Sequence, residues 1–166
     1  MKRGLKIGLL IGWMCLIFMF SHQTAQMSSE ASGLIESLLQ LIQFMPETLF
    51  GLELSLIIRK CAHLFEYFVL GMLFINVLME CYLPYRAGAL SLIYVFMYAT
   101  TDEFHQTFVR GRSGQIMDVF IDTIGGLLAV SLYVGYKLIQ EKKKRVLTTP
   151  CVTSKTTELK HKATGR

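Results

Sequence analysis

Four stretches of the chain are apolar almost without interruption, and polar residues are pushed to their ends. The first, Ile7 to Phe20, follows a basic start formed by Lys2, Arg3 and Lys6. A basic and then apolar order is also that of a secretory signal. The SHQTAQMSSE that follows has no small-x-small cleavage site, so an uncleaved membrane helix is expected. Ser21 to Ser32 reads as a polar connection. Leu34, Leu38, Leu41, Ile42 and Met45 then recur at helical spacing opposite Glu36, Gln40 and Gln43. This predicts an amphipathic helix ended by Pro46, since proline lacks the amide that continues the ladder. One-sided hydrophobicity suits a helix lying along a membrane surface, or one packed on the mouth of a bundle. A second span is expected from Leu56 to Leu83, with Lys60 reaching back to the interface. A tight turn at Pro84–Arg86 leads to a third span, Ala87 to Thr101. After a polar loop, Thr107 to Gln115, comes a fourth span, Ile116 to Leu138. From Glu141 onward no apolar periodicity remains, and a disordered tail is expected.

Each apolar run approaches the roughly 20 residues that a membrane helix needs. Composition agrees: 52% of the 166 residues are apolar and mean hydropathy is +0.45, beyond the range of an ordinary soluble domain. The expected fold is an all-α integral membrane protein with four transmembrane helices and an amphipathic outer segment between the first two. Residues 1–140 form the membrane domain and 141–166 a basic tail.

Charge adds orientation. Lys2, Arg3, Lys6, Arg86, Lys137 and every later basic residue fall on one side of this topology, and only Arg59, Lys60, Arg110 and Arg112 on the other. The positive-inside rule then places both termini in the cytoplasm. The net charge of +5 is no signal for nucleic acid, because aromatic residues do not interleave with the lysines. Asp102-Glu103-Phe104-His105 spells a helicase box, but no Gly-Lys-Ser/Thr phosphate loop accompanies it. The four cysteines, Cys15, Cys61, Cys81 and Cys151, lack paired spacing for a disulfide framework or a zinc site. The first three read as small buried hydrophobes.

Against this background the stretch Thr101 to Gly126 is unusual, because acids, histidine, glutamine and arginines crowd together there. An ionisable group at mid-membrane costs roughly 2.5–3.5 kcal/mol on insertion scales, so such groups must be paired or used. Helical spacing places Arg59, His63, Glu66 and Tyr67 on one face of the second span, with Leu70 and Phe74 continuing it. Tyr98, Asp102, His105 and Gln106 share a face of the third, with Glu103 at its margin. On the fourth, Asp118 and Asp122 are one turn apart, and Gly125 and Ala129 extend the seam with the small residues that close helix packing needs. Arg59, Lys60, Arg110 and Arg112 nearly balance Glu66, Asp102, Glu103, Asp118 and Asp122. Two readings stay open: a self-neutralising scaffold that fixes helix register, and a polar pocket opening to the outer face.

The pocket's chemistry is less defined. His63 with Glu66, or His105 with Asp102, would make an acid/base pair, since a carboxylate orients an imidazole. No H-x-x-x-H or E-x-x-H run fixes a metal geometry, and neither metal nor cofactor is expected. No serine or cysteine sits in a glycine-flanked elbow as a nucleophile.

The segments IIRKCAHLFEYFVLG, DEFHQTFVRGRSGQ and DVFIDTIGG follow one another in order between apolar helices. They contribute Arg59, Lys60, His63, Glu66, Tyr67 and Gly71, then Asp102, Glu103, His105, Gln106, Arg112 and Ser113, then Asp118, Asp122 and Gly125. In these residues, and in Ser21, Gln23 and Ser28 after the first helix, the chain resembles the VanZ-like family of small membrane proteins, over roughly Ile7 to Lys137. Arg110 departs from the family, which often has proline before the Gly-Arg pair. The resemblance implies a polytopic membrane protein, and the family's namesake is linked to resistance to the glycopeptide teicoplanin. It implies no catalytic residue. The expected partners are membrane lipid and an amphiphilic envelope ligand or lipoglycopeptide. The alternatives are an intramembrane acid/base enzyme acting on an envelope lipid and, third, an ion-coupled transporter. Oligomeric state is left open.

Overall fold

The helices follow from the apolar runs, and their ends follow from local chemistry. A computed structural model describes residues 2–41, 48–49 and 52–148. It contains α1 (Arg3–Ser21), α2 (Ala25–Leu41), a minimal antiparallel pair β1 (Thr48–Leu49) and β2 (Leu52–Glu53), α3 (Leu54–Leu78), α4 (Pro84–Gln106) and α5 (Ile116–Thr148). The chain divides into two units, Met1–Val134 and Gly135–Arg166.

Several boundaries differ from expectation. Pro84 opens α4 instead of making a turn. At a first helical position its missing amide costs nothing and its fixed φ suits the helix. The turn therefore lies earlier, and α3 stops at Leu78 rather than Leu83. Helix α2 starts at Ala25, inside the segment expected to be a polar connection. Its serines are accommodated by bonding back to the preceding turn, Ser32 Oγ to the Ser28 carbonyl at 3.0 Å and Ser37 Oγ to the Gly33 carbonyl at 2.8 Å. Helix α5 continues to Thr148, so residues 141–148 are helical and not a disordered tail. The rest of that tail, and Ile42, Gln43, Met45 and Pro46, lie outside the described residues.

Side chains are distributed inside out relative to a water-soluble protein. Met19, Phe96, Phe120 and Leu132 are exposed, whereas Asp102, Glu103, Gln106 and Asp122 are buried. Cys15, Cys61 and Cys81 also face outward as free thiols, contrary to the expectation of burial. Helices α1, α3 and α5 are long and apolar enough to cross a membrane. Helix α4 falls short of that measure, because its apolar middle is flanked by Tyr85 and Arg86 at one end and Asp102–Gln106 at the other.

Polar ties set the helix directions. Lys6 Nζ reaches the Asn76 carbonyl at 3.5 Å, and Trp13 Nε1 donates to the Glu66 carbonyl at 2.9 Å, so α1 and α3 run antiparallel. Tyr98 Oη donates to the Met14 carbonyl at 2.6 Å, and His105 meets His22, so α4 runs parallel to α1. The pairing of Lys60 with Asp118 and of His63 with Asp122 sets α5 parallel to α3. Between the helices, Leu10, Ile17, Tyr67, Leu70, Val95 and Ala99 form the main apolar cluster. The small-residue seam on α5 is used as expected: a Cβ on Gly125 would lie 2.3 Å from the Leu64 carbonyl oxygen. Backbone meets backbone there, which is what pulls the acids of α5 against α3.

Candidate functional site

The site lies where α1 ends and α3 and α5 begin. On α3, Arg59, His63 and Glu66 are spaced i, i+4 and i+7, which stacks them on one face. On α4 the last turn contributes Asp102, Glu103 and Gln106, all buried. Asp118 and Asp122 come from the first turns of α5, where the helix dipole favours acid. The connection between α4 and α5 turns at Gly111, whose φ of +77° lies in the left-handed region that glycine enters without steric cost. That turn folds Arg112 inward, its amide bonded to the Val109 carbonyl at 3.1 Å. Gln115 N then donates to Glu103 Oε2 at 2.9 Å and fastens the loop to α4.

Two adjoining cavities result. The larger, about 300 Å³, has an apolar side of Ile17, Phe20, Ala31, Ile35, Ile58 and Ala62. Its polar side holds Arg59, His63, Glu66, Asp102 and Arg112, with Ser21, Gln23, Ser28 and Ser32 between. The smaller, about 180 Å³, is lined by Lys60, Gln106, Ser113, Gln115 and Asp118 and shares Arg59, His63 and Arg112 with the first. Burial lowers the Arg112 guanidinium from its ordinary pKa. Asp102 opposes that shift, and the nearby Arg59 adds to it.

Part of the cluster is self-paired. Lys60 and Asp118 form an ion pair. Gln106 Nε2 donates to Asp102 Oδ2 at 3.2 Å. The pairings expected for the histidines are not those found. His63 faces Asp122, with Nδ1 3.5 Å from Oδ1, and not Glu66. His105 turns from Asp102 toward α1, where its Nε2 lies 3.2 Å from His22 Nδ1 and its ring centroid 4.6 Å from that of Phe18. It lines neither cavity, because its position on α4 points it at α1 and not into the bundle. Tyr67 is fully buried beside Tyr98 and lines neither cavity either. Glu103, expected at the margin, is only 4% exposed.

Among the described residues, Asp122 Oδ1 and Oδ2, Glu103 Oε1 and His63 Nδ1 are buried without a hydrogen-bond partner. Ligand atoms of these three side chains lie within 4.8 Å of one another. They come from three helices, so no spacing in the sequence could reveal them as a set. The cavity-lining role of Ser21, Gln23 and Ser28 was signalled only by their place in the polar motif after the first helix. Trp13 ties α1 to α3 without any signal in the sequence pattern, and Tyr98, expected on the polar face of α4, ties that helix to α1.

Neither a curated protein nor a solved structure matches the chain. The VanZ/LLP1 family model does match, over residues 6–140, a span that holds both cavities and every charged residue lining them. By this match the chain belongs to the VanZ/LLP1 family and is a VanZ-like membrane protein.

Proposed function

We propose that this protein binds an amphiphilic envelope ligand, a lipid-linked envelope polymer or a lipoglycopeptide, at the outer face of the cell membrane, and so contributes to protection against glycopeptides such as teicoplanin. The observation that carries the reading is the larger cavity, which sets Ile17, Ile35 and Ile58 beside Arg59 and Arg112. Guanidinium groups grip phosphate and carboxylate oxygens in bidentate fashion, and the apolar wall suits an acyl chain. A cavity of about 300 Å³ is at the lower end of ligand pockets, roughly 300–1,000 Å³, enough for a head group and the start of a chain. The exposed Leu34, Ile35 and Leu38 of α2 support lipid contact beside its mouth.

Four spans with both termini cytoplasmic belong to the same reading. Helices α1, α3, α4 and α5 alternate in direction. The acids that lower the hydropathy of α4 face the bundle interior, where they cost less than in lipid. The basic residues gather at the N-terminus, at Arg86 and from Lys137 onward, as the positive-inside rule requires.

The test is Arg112→Ala. At equal membrane abundance, cells expressing the variant lose teicoplanin protection that cells expressing the unaltered protein show. Equal protection by both overturns the reading. Glu66 and Asp102 on the cavity wall favour a second reading, an intramembrane acid/base enzyme. Purified protein given labelled envelope lipid separates the two: a product that Asp102→Asn abolishes would replace binding with turnover.

A further inference from the structure

The buried trio His63, Glu103 and Asp122 is more than the electrostatics of the cluster requires. Asp122 is fully buried and Glu103 nearly so. A buried carboxylate without a partner costs several kcal/mol, which is why such groups are paired, protonated or metal-bound. The neighbouring cations do not supply those partners. Lys60 is held by Asp118. Arg112 lines the cavities, yet among the described residues no donor bonds to Asp122 Oδ1, Asp122 Oδ2 or Glu103 Oε1. Protonated His63, 3.5 Å from Asp122 Oδ1, answers one carboxylate at most. Asp122 Oδ2 and Glu103 Oε1 still have nothing.

From this convergence we propose that His63, Glu103 and Asp122 bind a divalent transition-metal ion of the zinc or manganese class. One imidazole nitrogen with two carboxylate oxygens is the mixed donor set such ions accept, and two carboxylates with a neutral imidazole cancel the ion's charge. The donor atoms lie within 4.8 Å of one another. Donors around a tetrahedral zinc are separated by about 3.4 Å, from zinc–ligand bonds of about 2.0–2.1 Å. Side-chain rotation of roughly an ångström closes that difference, and the His63–Asp122 pair at 3.5 Å is already there. Glu103 is oriented for the role by its other oxygen, Oε2, which accepts from Gln115 N and leaves Oε1 to the ion. His63 lines both cavities and gives the ion its entry route.

The experiment uses the purified full-length chain in detergent, stripped with chelator and titrated separately with Zn²⁺ and Mn²⁺ by calorimetry, with bound metal counted by elemental analysis. The expected result is one ion per chain for at least one of the two metals. His63→Ala, Glu103→Gln and Asp122→Asn each weaken it tenfold or more, while Glu80→Gln, in the turn beyond the far end of α3, leaves it unchanged. Absence of stoichiometric binding by the unaltered protein overturns the proposal, and this result needs no variant to fold. Binding that survives all three substitutions overturns it equally. Neither outcome bears on Arg112 and teicoplanin protection, so the two proposals stand or fall separately.

Discussion

Gly125→Ala places a methyl group where the backbone of α3 already stands. The new Cβ would sit 2.3 Å from the Leu64 carbonyl oxygen and 3.2 Å from the amide nitrogen of Phe68. An ordinary contact is at least 3.4 Å, so the two helices must separate by about an ångström, and neither colliding atom is the end of a flexible side chain. Overpacking of this kind costs about 1–3 kcal/mol. For a chain of this size that is roughly 2–4 °C of melting temperature per kcal/mol, or a fall of about 2–12 °C. The same displacement moves Asp122, one turn earlier on α5, away from His63. Gly12→Ala is the control: nothing lies within 4 Å of its Cβ position. It should be neutral or slightly stabilising, since alanine is favoured over glycine in a helix by up to about 1 kcal/mol. Thermal unfolding of both variants in one detergent, read by fluorescence, decides. If Gly125→Ala melts with the unaltered protein, the seam is looser than described and the argument from it fails.

Two further predictions concern ion pairs at opposite ends of the bundle. Lys60→Met leaves Asp118 half-buried without its partner and should destabilise by less than the about 3–5 kcal/mol of a fully buried pair, because both side chains keep some water contact. Lys60→Met with Asp118→Asn should recover much of the loss, and a double-mutant cycle of melting curves showing no coupling would rule the pair out as a contributor. At the other end, the hydrogen bond from Lys6 holds the Glu80 carboxyl below its ordinary pKa. Glu80 therefore binds fewer protons folded than unfolded as pH falls through the carboxylate range, so its contribution is present above about pH 4.5 and lost below its folded pKa. The difference in melting temperature between the unaltered protein and Glu80→Gln should shrink across that window; a constant difference would contradict it.

The sequence exposed the helices more readily than their contacts. Apolar runs of sufficient length named α1, α3 and α5, and helical spacing correctly put Arg59, His63 and Glu66 on one face. Periodicity describes the face of a single helix, however, and not which faces meet. That is why the reading pairs His63 with Glu66, three positions of chain away, rather than with Asp122 on another helix. The same limit put Glu103 at the margin of its face, whereas the folded chain buries it. Helix α1 is apolar all round, so nothing in its pattern distinguished the side toward α3, and Cys15 was expected inside when it faces out. Boundaries failed where local chemistry was subtle. Pro84 reads equally as a turn or a first helical residue, and the serines of α2 read as a connection until their hydroxyls are seen bonding to the helix itself.

The pairing of α3 with α5 also sets the order in which the molecule can be completed. Lys60 and His63 leave the ribosome more than fifty residues before Asp118 and Asp122, the acids that answer them. Until α5 has docked, Lys60 lacks the carboxylate with which it pairs in the folded chain. A nascent chain that ends before α5 is thus electrically unfinished as well as short, because Lys60 and His63 still lack the acids that face them in the folded chain.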